Sequence, residues 1–211
     1  MKIVVKVGGS LVFHDGGADS NYLKKLIPVL EKVRDEHQLI IAIGGGKYLR
    51  NYMKDIKMDN KNIEEIYIQL LYANVLLFSK LLRMKPITKL SEIKKNTSGI
   101  IGGIAPGRCT DANAAECAVR INADLLVKIT NVDGIYDNDP NKFQDAVRFE
   151  KINFSELKSL DKTSPVNYGI LDPISVEIIK KYKIKTVVMH GSEPENLFKI
   201  IKGERIGTLI C

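Results

Sequence analysis

Three groups of glycine residues could bind an anionic ligand, and each directly follows a run of apolar residues. They are Gly8-Gly9-Ser10, Gly44-Gly45-Gly46 and Gly102-Gly103. Because glycine has no Cβ atom, it lets backbone N–H groups approach an oxyanion, and a helix that begins there adds partial positive charge. One such group is most simply a tight turn, whereas three after predicted strands indicate a phosphate site. The sequence has neither the G-x-G-x-x-G nor the G-x-x-x-x-G-K-[ST] pattern, so these two nucleotide-binding signatures are excluded.

Three charged residues beside these glycines could stabilise or orient a phosphoryl group. Lys6 lies in an otherwise apolar strand, so its side chain points either into a ligand crevice or to solvent. Arg50 lies one turn into the helix after the second glycine group, where an ordinary surface arginine is an equal alternative. Near the start of another predicted helix, Thr110 or Asp111 could cap the helix, and Asp111 could also orient a lysine. Lysine and arginine suit phosphoryl transfer, because this reaction depends mainly on positioning the substrates and neutralising the charge of the phosphate groups.

A further set of polar groups lies in residues 129–140, ITNVDGIYDNDP, where three aspartates stand among glycine, asparagine and proline. This composition is typical of a turn-rich surface loop. The position of the segment after a predicted buried strand fits the polar rim of a nucleotide site as well. Both interpretations stay open on the residues alone.

The elements that must position these residues alternate between β-branched runs and helical stretches. Strands are predicted at residues 3–7, 39–43, 99–101, 125–129 and 186–189. Helices are predicted at residues 21–36, 47–56, 63–82, 111–121, 154–160 and 173–182. The alternation predicts an α/β fold with a doubly wound, mainly parallel sheet and helices on both faces. Ligands of such sheets bind at the carboxyl ends of the strands, so the three glycine groups should converge on one crevice.

Composition restricts the class of protein. A chain of 211 residues with 45% hydrophobic residues can build a large core in one compact unit. The net charge of +7 is interleaved with acidic residues and is not grouped with aromatic ones. It therefore favours an anionic small-molecule substrate and argues against nucleic acid as a partner.

Three observations predict a cytoplasmic protein with no membrane partner. Cys109, Cys117 and Cys211 lack metal-ligand or disulfide spacing, which indicates reduced thiols. The strand-like residues 2–7 leave no room for a signal peptide. The apolar stretch 66–82 carries too many polar residues for a membrane span and is predicted to be a buried amphipathic helix, with a subunit contact as the alternative.

These segments together resemble the amino-acid kinase family along nearly the whole chain, and within it they are most similar to archaeal-type UMP kinases. The matching segments are Val7-Gly8-Gly9-Ser10, Gly44-Gly45-Gly46-Lys47-Tyr48-Leu49-Arg50, Gly102-Gly103 with Pro106-Gly107, Thr110-Asp111-Ala112, Thr130-Asn131-Val132-Asp133-Gly134-Ile135-Tyr136 with Asp139-Pro140, Leu171-Asp172-Pro173, and Ile201-Lys202-Gly203-Glu204 with Gly207-Thr208. The resemblance implies one domain over residues 1–211, a three-layer αβα sandwich with a mainly parallel central sheet. Its N-terminal part would bind the phosphate acceptor and its C-terminal part ATP.

The resemblance also implies a nucleoside monophosphate kinase that uses ATP and Mg²⁺ to convert UMP to UDP in pyrimidine nucleotide biosynthesis, as a homo-oligomer such as a hexamer. The implied catalytic residues are Lys6, Asp111 and Arg50. The implied ATP-binding residues are Gly8, Gly9, Ser10, Gly46, Arg50, Thr130, Asn131, Tyr136 and Asp139. The implied acceptor-binding residues are Gly45, Glu64, Ile104, Ala105, Pro106, Gly107, Arg108, Cys109 and Thr110. No residue is assigned to the metal ion, which would be held largely by substrate phosphates and water.

Several residues depart from the family pattern, mostly on the acceptor side. Glu64 replaces a usual Asp, Tyr67 a Gly, and Leu71-Tyr72 a Thr-Arg pair. Glu177 stands where relatives often have lysine, whose charge Lys180 or Lys181 could supply unless the site does not need it. Two alternatives therefore accompany the UMP kinase hypothesis. One is a divergent enzyme that phosphorylates another small phosphate or carboxylate, and the other is a non-catalytic protein that binds a nucleotide or oxyanion.

Overall fold

The β-branched residues at the N-terminus form the central strand of the molecule. The computed structural model describes residues 1–14, 17–52, 56–140, 142–157 and 170–211. Its strands are β1 Lys2–Val7, β2 Phe13–His14, β3 Gly17–Ala18, β4 Gln38–Ile43, β5 Pro86–Ile87, β6 Gly99–Ile101, β7 Leu125–Thr130, β8 Lys151–Ile152, β9 Thr186–His190 and β10 Thr208–Ile210. Eight of them form one sheet in the order β5-β6-β4-β1-β7-β9-β10-β8, while β2 and β3 form a separate two-stranded antiparallel sheet. The strands from β5 to β9 in this order are parallel, and β10 runs antiparallel to β9.

Seven α-helices connect and cover these strands. They are α1 Gly9–Val12, α2 Ser20–Glu36, α3 Gly46–Tyr52, α4 Asn60–Leu81, α5 Thr110–Ile121, α6 Pro173–Tyr182 and α7 Asn196–Ile201, counted over the ranges just given. Aspartates begin three of them, because the carboxylates of Asp19, Asp59 and Asp172 accept hydrogen bonds from backbone N–H groups of the first turn. At α5 the capping residue is Cys109, whose Sγ accepts from the Ala112 amide at 3.4 Å, so the predicted cap at Thr110 or Asp111 is wrong.

Two hydrophobic cores lie on opposite faces of the sheet. Along β1 the side chains alternate, so that Val5 packs into the core beneath α2, α4 and α7, and Val4 into the core beneath α5 and α6. The result is the predicted three-layer αβα sandwich with a mainly parallel sheet. The same alternation places Lys6 and Lys128 on the face covered by α5 and α6, and the two residues are register partners on β1 and β7.

The apolar helix α4 buries one face, including Leu71, Val75 and Phe78. Its Leu76 and Leu81 side chains are exposed, so the predicted burial holds for one side of this helix only. Across the described parts of the chain, no helix combines the length and apolar character needed to cross a membrane.

Two predicted helices differ from the structure. Residues 154–156 form a turn, in which Asn153 donates to Glu156 and accepts from the backbone N–H groups of Glu156 and Leu157. This local hydrogen bonding replaces the first turn of the helix predicted at 154–160, and residues 158–160 lie outside the described residues. The helix predicted at 47–56 is present as α3 over Gly46–Tyr52, residues 53–55 lie outside the described residues, and Ile56 is not helical.

Candidate active site

One open cavity lies at the carboxyl ends of the central strands, where the predicted crevice should be. Its volume is about 590 Å³, which falls in the range of roughly 300–1,000 Å³ found for small-molecule sites. The described residues that line it are Lys6, Gly8, Gly9, Ser10, Gly44, Gly45, Gly46, Glu64, Tyr67, Ile68, Leu71, Gly103, Ala105, Pro106, Gly107, Arg108, Cys109, Thr110, Asp111 and Thr130. All three glycine groups contribute to this wall, so their predicted convergence is confirmed.

The first two glycine groups are in backbone contact with each other. A Cβ atom at Gly9 would lie 2.2 Å from the Gly46 nitrogen and 2.4 Å from the Gly44 oxygen. Gly46 has φ of +76°, a left-handed conformation that favours glycine. The glycines are therefore required first for the close approach of the β1–α1 and β4–α3 turns. Their packing sets the backbone surface that faces the cavity.

Two buried or partly buried amides hold the glycine turns in place. The side chain of Asn113, which has no exposed surface, donates to the Gly102 carbonyl over 2.9 Å. Asn74 reaches the Gly44 carbonyl at 3.5 Å, at the limit of a hydrogen bond. These contacts fix the direction of two peptide groups at the edge of the cavity.

A cluster of two lysines and one aspartate lies at the floor of the cavity, where Lys6 and Asp111 line the cavity and Lys128 lies behind Asp111. The Lys6 side chain points inward, since the residue is 8% exposed and lines the cavity, which decides between the two predicted orientations. Asp111 enters from the first turn of α5, and its Oδ2 atom lies 3.4 Å from Lys6 Nζ. Its Oδ1 atom lies 2.6 Å from Nζ of Lys128, which also donates to the Ile170 carbonyl.

The lysines control the ionisation of Asp111. Burial alone would raise the pKa of this carboxyl, but the charges of Lys6 and Lys128 outweigh burial and hold the pKa below its usual value. Burial also lowers the pKa of Lys128, against the opposing attraction of Asp111. Asp111 is therefore a fixed carboxylate, suited to orienting cations and unsuited to donating a proton.

The acceptor side of the cavity joins α4 to the loop before α5. The Gly107 amide donates to Oε2 of Glu64 over 2.9 Å, so the residue that replaces the usual Asp holds this loop. Tyr67, Ile68 and Leu71 add a largely apolar wall beside it. The acceptor-side departures Glu64, Tyr67 and Leu71 therefore line the cavity itself. Tyr72 instead packs against the core beneath α2 and α4.

Arg108 and Cys109 supply the polar atoms of the acceptor loop. The Nε and Nη2 atoms of Arg108 are buried and have no hydrogen-bond partner among the described residues. Partial burial and the nearby carboxylates of Asp172 and Asp111 raise the pKa of the Cys109 thiol to about 12. The raised pKa favours the protonated thiol over the nucleophilic thiolate. The Arg108 nitrogen atoms are buried polar groups of the kind that is normally hydrogen-bonded, which makes them candidates for binding an anion.

Of the segment 129–140, predicted as a nucleotide rim, one residue lines the cavity. Thr130 lines it, and Thr130 Oγ1 donates to the Asn131 side chain over 3.3 Å. The hydroxyl of Tyr136 donates to Asp133 over 2.7 Å, and this bond raises the pKa of Tyr136. Asp139 is buried and lies 3.9 Å from Lys142. Asn131, Tyr136 and Asp139 are therefore not among the residues that line the cavity.

Four other residues singled out from the sequence are placed as follows. Ile104 packs against the core beneath α5 and α6 and does not line the cavity. Arg50 belongs to α3, but its side chain lies outside the described part of the structure. Glu177 and Lys181 line a separate surface groove beside Arg108, so Lys181 does not supply a charge to the cavity.

Lys128 is the site residue that the sequence analysis missed. Lys6 was singled out because a glycine group follows its strand, whereas Lys128 precedes Thr130 in a strand with no such group. A signal was present, because a lysine inside an apolar central strand is rarely buried without an acidic partner. Strand β7 is such a strand, and Asp111 is the partner.

One group of three potential metal ligands exists among the described residues, and it coincides with this site. The ligand atoms of Cys109, Asp111 and Asp172 lie within 4.8 Å of one another. Both oxygens of Asp111 already face lysine ammonium groups, and Asp172 caps α6. Mg²⁺ prefers oxygen ligands such as carboxylates and water. A thiol, a carboxylate paired with two lysines and a helix-capping carboxylate therefore do not fit a resident Mg²⁺ ion.

Comparisons with known proteins agree with this arrangement. The sequence profile of the amino acid kinase family matches residues 1–92 and 79–190. A uridylate kinase from Methanocaldococcus jannaschii is 36% identical over 100% of this chain and 99% of that protein. One from Methanococcus aeolicus is 34% identical over the same shares. The crystal structure of uridylate kinase from Archaeoglobus fulgidus has a TM-score of 0.86 at 29% identity and covers 100% of both chains. The chain therefore belongs to the amino acid kinase family.

Proposed function

We propose that the protein transfers the γ-phosphoryl group of ATP to UMP and so produces UDP for pyrimidine nucleotide biosynthesis. The observation that carries this proposal is the Lys6–Asp111–Lys128 cluster on the floor of a cavity walled by glycine turns. Phosphoryl transfer needs positioned cations and backbone donors and no covalent nucleophile. The relatives that share the full length of the chain are uridylate kinases, which favours UMP among the possible acceptors.

In this proposal the two substrates meet at the lysine–aspartate cluster. ATP would be held by the backbone of Gly8, Gly9, Ser10 and Gly46, with Arg50 beside its phosphates and with Thr130, Asn131, Tyr136 and Asp139 flanking the nucleoside. Lys6 would contact the phosphoryl group as it moves, while Asp111 keeps the ammonium group directed into the cavity. In this arrangement the N-terminal part would bind the acceptor and the C-terminal part the nucleoside of ATP, while the phosphates of ATP would lie on the N-terminal glycine turns.

The acceptor would occupy the space between α4 and the loop before α5. Gly45, Glu64 and the segment Ile104, Ala105, Pro106, Gly107, Arg108, Cys109 and Thr110 surround this space, with Ile104 supporting it from behind. The unpartnered nitrogen atoms of Arg108 are suited to the acceptor phosphate. We further propose that the protein acts as a homo-oligomer in the cytoplasm.

Activity is expected to require Mg²⁺ brought in with ATP. Lys6 and Arg108 are the cations among the described residues that line the cavity, too few to neutralise a triphosphate. When bound to the phosphates, Mg²⁺ would neutralise charge and orient the γ-phosphoryl group. Excess chelator should abolish turnover, and added Mg²⁺ should restore it, as measured by ADP release. Full activity in excess chelator would contradict this requirement.

Replacement of Glu64 by alanine is expected to reduce the preference for UMP over dUMP by roughly tenfold. One carboxylate oxygen accepts from the Gly107 amide, which leaves the other for a ribose hydroxyl. An acceptor that lacks the hydroxyl would leave that charge without its bond. Isothermal titration of UMP and dUMP in the presence of a non-hydrolysable ATP analogue measures the two affinities.

The Glu64→Gln variant is the matched control, because its amide oxygen can still accept from Gly107 while the charge is lost. It should keep the loop in place and show an intermediate preference, and neither variant should change binding of the ATP analogue. Absence of UMP binding to the wild-type protein at millimolar concentration would contradict UMP as the acceptor. It would indicate that Tyr67 and Leu71, which line the cavity, fill the space for the nucleoside. A smaller phosphate or carboxylate would then be the acceptor.

A further inference from the structure

Lys128 is bound entirely by protein atoms, unlike Lys6. It is 5% exposed and does not line the cavity, and its ammonium group contacts the Asp111 carboxylate and the Ile170 carbonyl. Such a group cannot touch a substrate in the cavity. Among the site residues it bonds to Asp111, so any effect on the reaction acts through this carboxylate or through the charge of Lys128 itself.

The two contacts of Asp111 are unequal. Its Oδ1 atom lies 2.6 Å from Lys128, whereas its Oδ2 atom lies 3.4 Å from Lys6. Charge-assisted N–H···O bonds are usually about 2.7–2.9 Å long. The carboxylate is therefore bonded firmly to Lys128 and only loosely to Lys6.

We propose that Lys128 is a positioning residue that engages Asp111 and so prevents this carboxylate from neutralising Lys6. Lys6 then keeps its positive charge directed at the phosphoryl group while Asp111 still sets its orientation. The inference rests on the proposed function, because it assigns Lys128 a part in the same phosphoryl transfer. Without Lys128, Asp111 would pair with Lys6 alone, and the cluster would lose its net positive charge.

The charges of the cluster can be changed independently. The wild-type cluster of two ammonium groups and one carboxylate is cationic. Lys128→Met makes it neutral, and combining this change with Asp111→Asn makes it cationic again. The double variant also lacks the contact of Lys128 with the Ile170 carbonyl. Any activity that it regains over Lys128→Met therefore comes from the charge on Lys6 and not from a repaired structural contact.

The test compares kcat for ADP formation in Lys128→Met, Asp111→Asn and the double variant. Lys128→Met should lower kcat by about 10²-fold, the size of effect seen when one preorganised electrostatic contact is removed. The double variant should regain about tenfold of this loss and stay below the wild type, because Lys6 has lost its orienting carboxylate. Lys2→Met is the matched control, since Lys2 lies on the neighbouring strand β1 and its ammonium group likewise donates to backbone carbonyls, those of Lys95 and Ile121. The kcat of Lys2→Met should be unchanged.

A second readout separates this inference from the choice of acceptor. Binding of ADP with aluminium fluoride, a mimic of the transferring phosphoryl group, should weaken in Lys128→Met and recover in the double variant, while binding of ADP alone stays constant. If the wild-type protein binds the mimic but makes no UDP, UMP is not the acceptor. The order of the variants in their affinity for the mimic then still tests the role of Lys128. The inference is overturned if the double variant is no better than Lys128→Met in either readout, or if Lys128→Met retains wild-type kcat.

Discussion

The Lys6→Met variant is expected to lose about 10²–10³-fold in kcat while the KM for ATP changes far less. The Lys6 side chain lies on the cavity floor, and its contact with Asp111 is long enough to be exchanged for a phosphate oxygen. Charge on the transferred group shifts during the reaction, so an interaction made mainly in the transition state affects kcat. Steady-state kinetics with varied ATP at saturating acceptor separates the two parameters.

The interpretation of Lys6→Met depends on an intact fold. The thermal unfolding midpoint should be measured beside the kinetics, and Lys2→Met on the same strand provides the control for loss of a lysine from β1. A Lys6→Met enzyme with near wild-type kcat would remove Lys6 from the mechanism. A large rise in KM with constant kcat would show instead that Lys6 only binds ATP.

The Gly9→Ala variant is expected to abolish measurable ATP binding and to destabilise the protein by about 1–3 kcal/mol. The added Cβ would lie 2.2 Å from the Gly46 nitrogen and 2.4 Å from the Gly44 oxygen, both backbone atoms that cannot rotate away. The two turns must separate, and the backbone surface offered to the phosphates is lost with them. Titration with a non-hydrolysable ATP analogue and chemical unfolding measure the two effects.

Gly203→Ala is the matched control for this second substitution. Gly203 has φ of +92° with open space around its Cβ position. Alanine there should cost about 1–2 kcal/mol of stability through backbone strain alone. It should leave ATP binding unchanged because the residue is outside the cavity. If Gly9→Ala binds the analogue like the wild type, the contact between the two turns does not shape the phosphate site.

The main architecture could be predicted because it depends on local patterns. The apolar runs of β1, β4 and β7 are buried central strands, and the glycine groups follow β1, β4 and β6, so their meeting point follows from parallel topology. Short strands such as β5 and β8 have two residues each and carry too little pattern to be recognised. Their positions are set by pairing with neighbours far away in sequence.

The chemistry of the site was harder to predict because it depends on contacts between distant residues. Lys128 became interpretable only when register placed it opposite Lys6 and α5 brought Asp111 between them. Likewise, Cys109 takes the capping role at α5, although aspartate is usually the better cap, while Asp111 is directed toward the lysines. The sequence position of Glu177 does not reveal its surroundings, and in the structure this residue lies in a separate groove.

The most direct measurement of the proposed function follows product formation by phosphorus NMR when ATP and Mg²⁺ are mixed with UMP. Parallel reactions contain dUMP, CMP, AMP, inorganic phosphate or acetate as the acceptor. The lysine–aspartate cluster and the glycine-walled cavity predict stoichiometric UDP and ADP from UMP, with dUMP a poorer acceptor. Consumption of ATP with one of the smaller acceptors and none with UMP would contradict the assignment, as would binding of ATP without transfer to any acceptor.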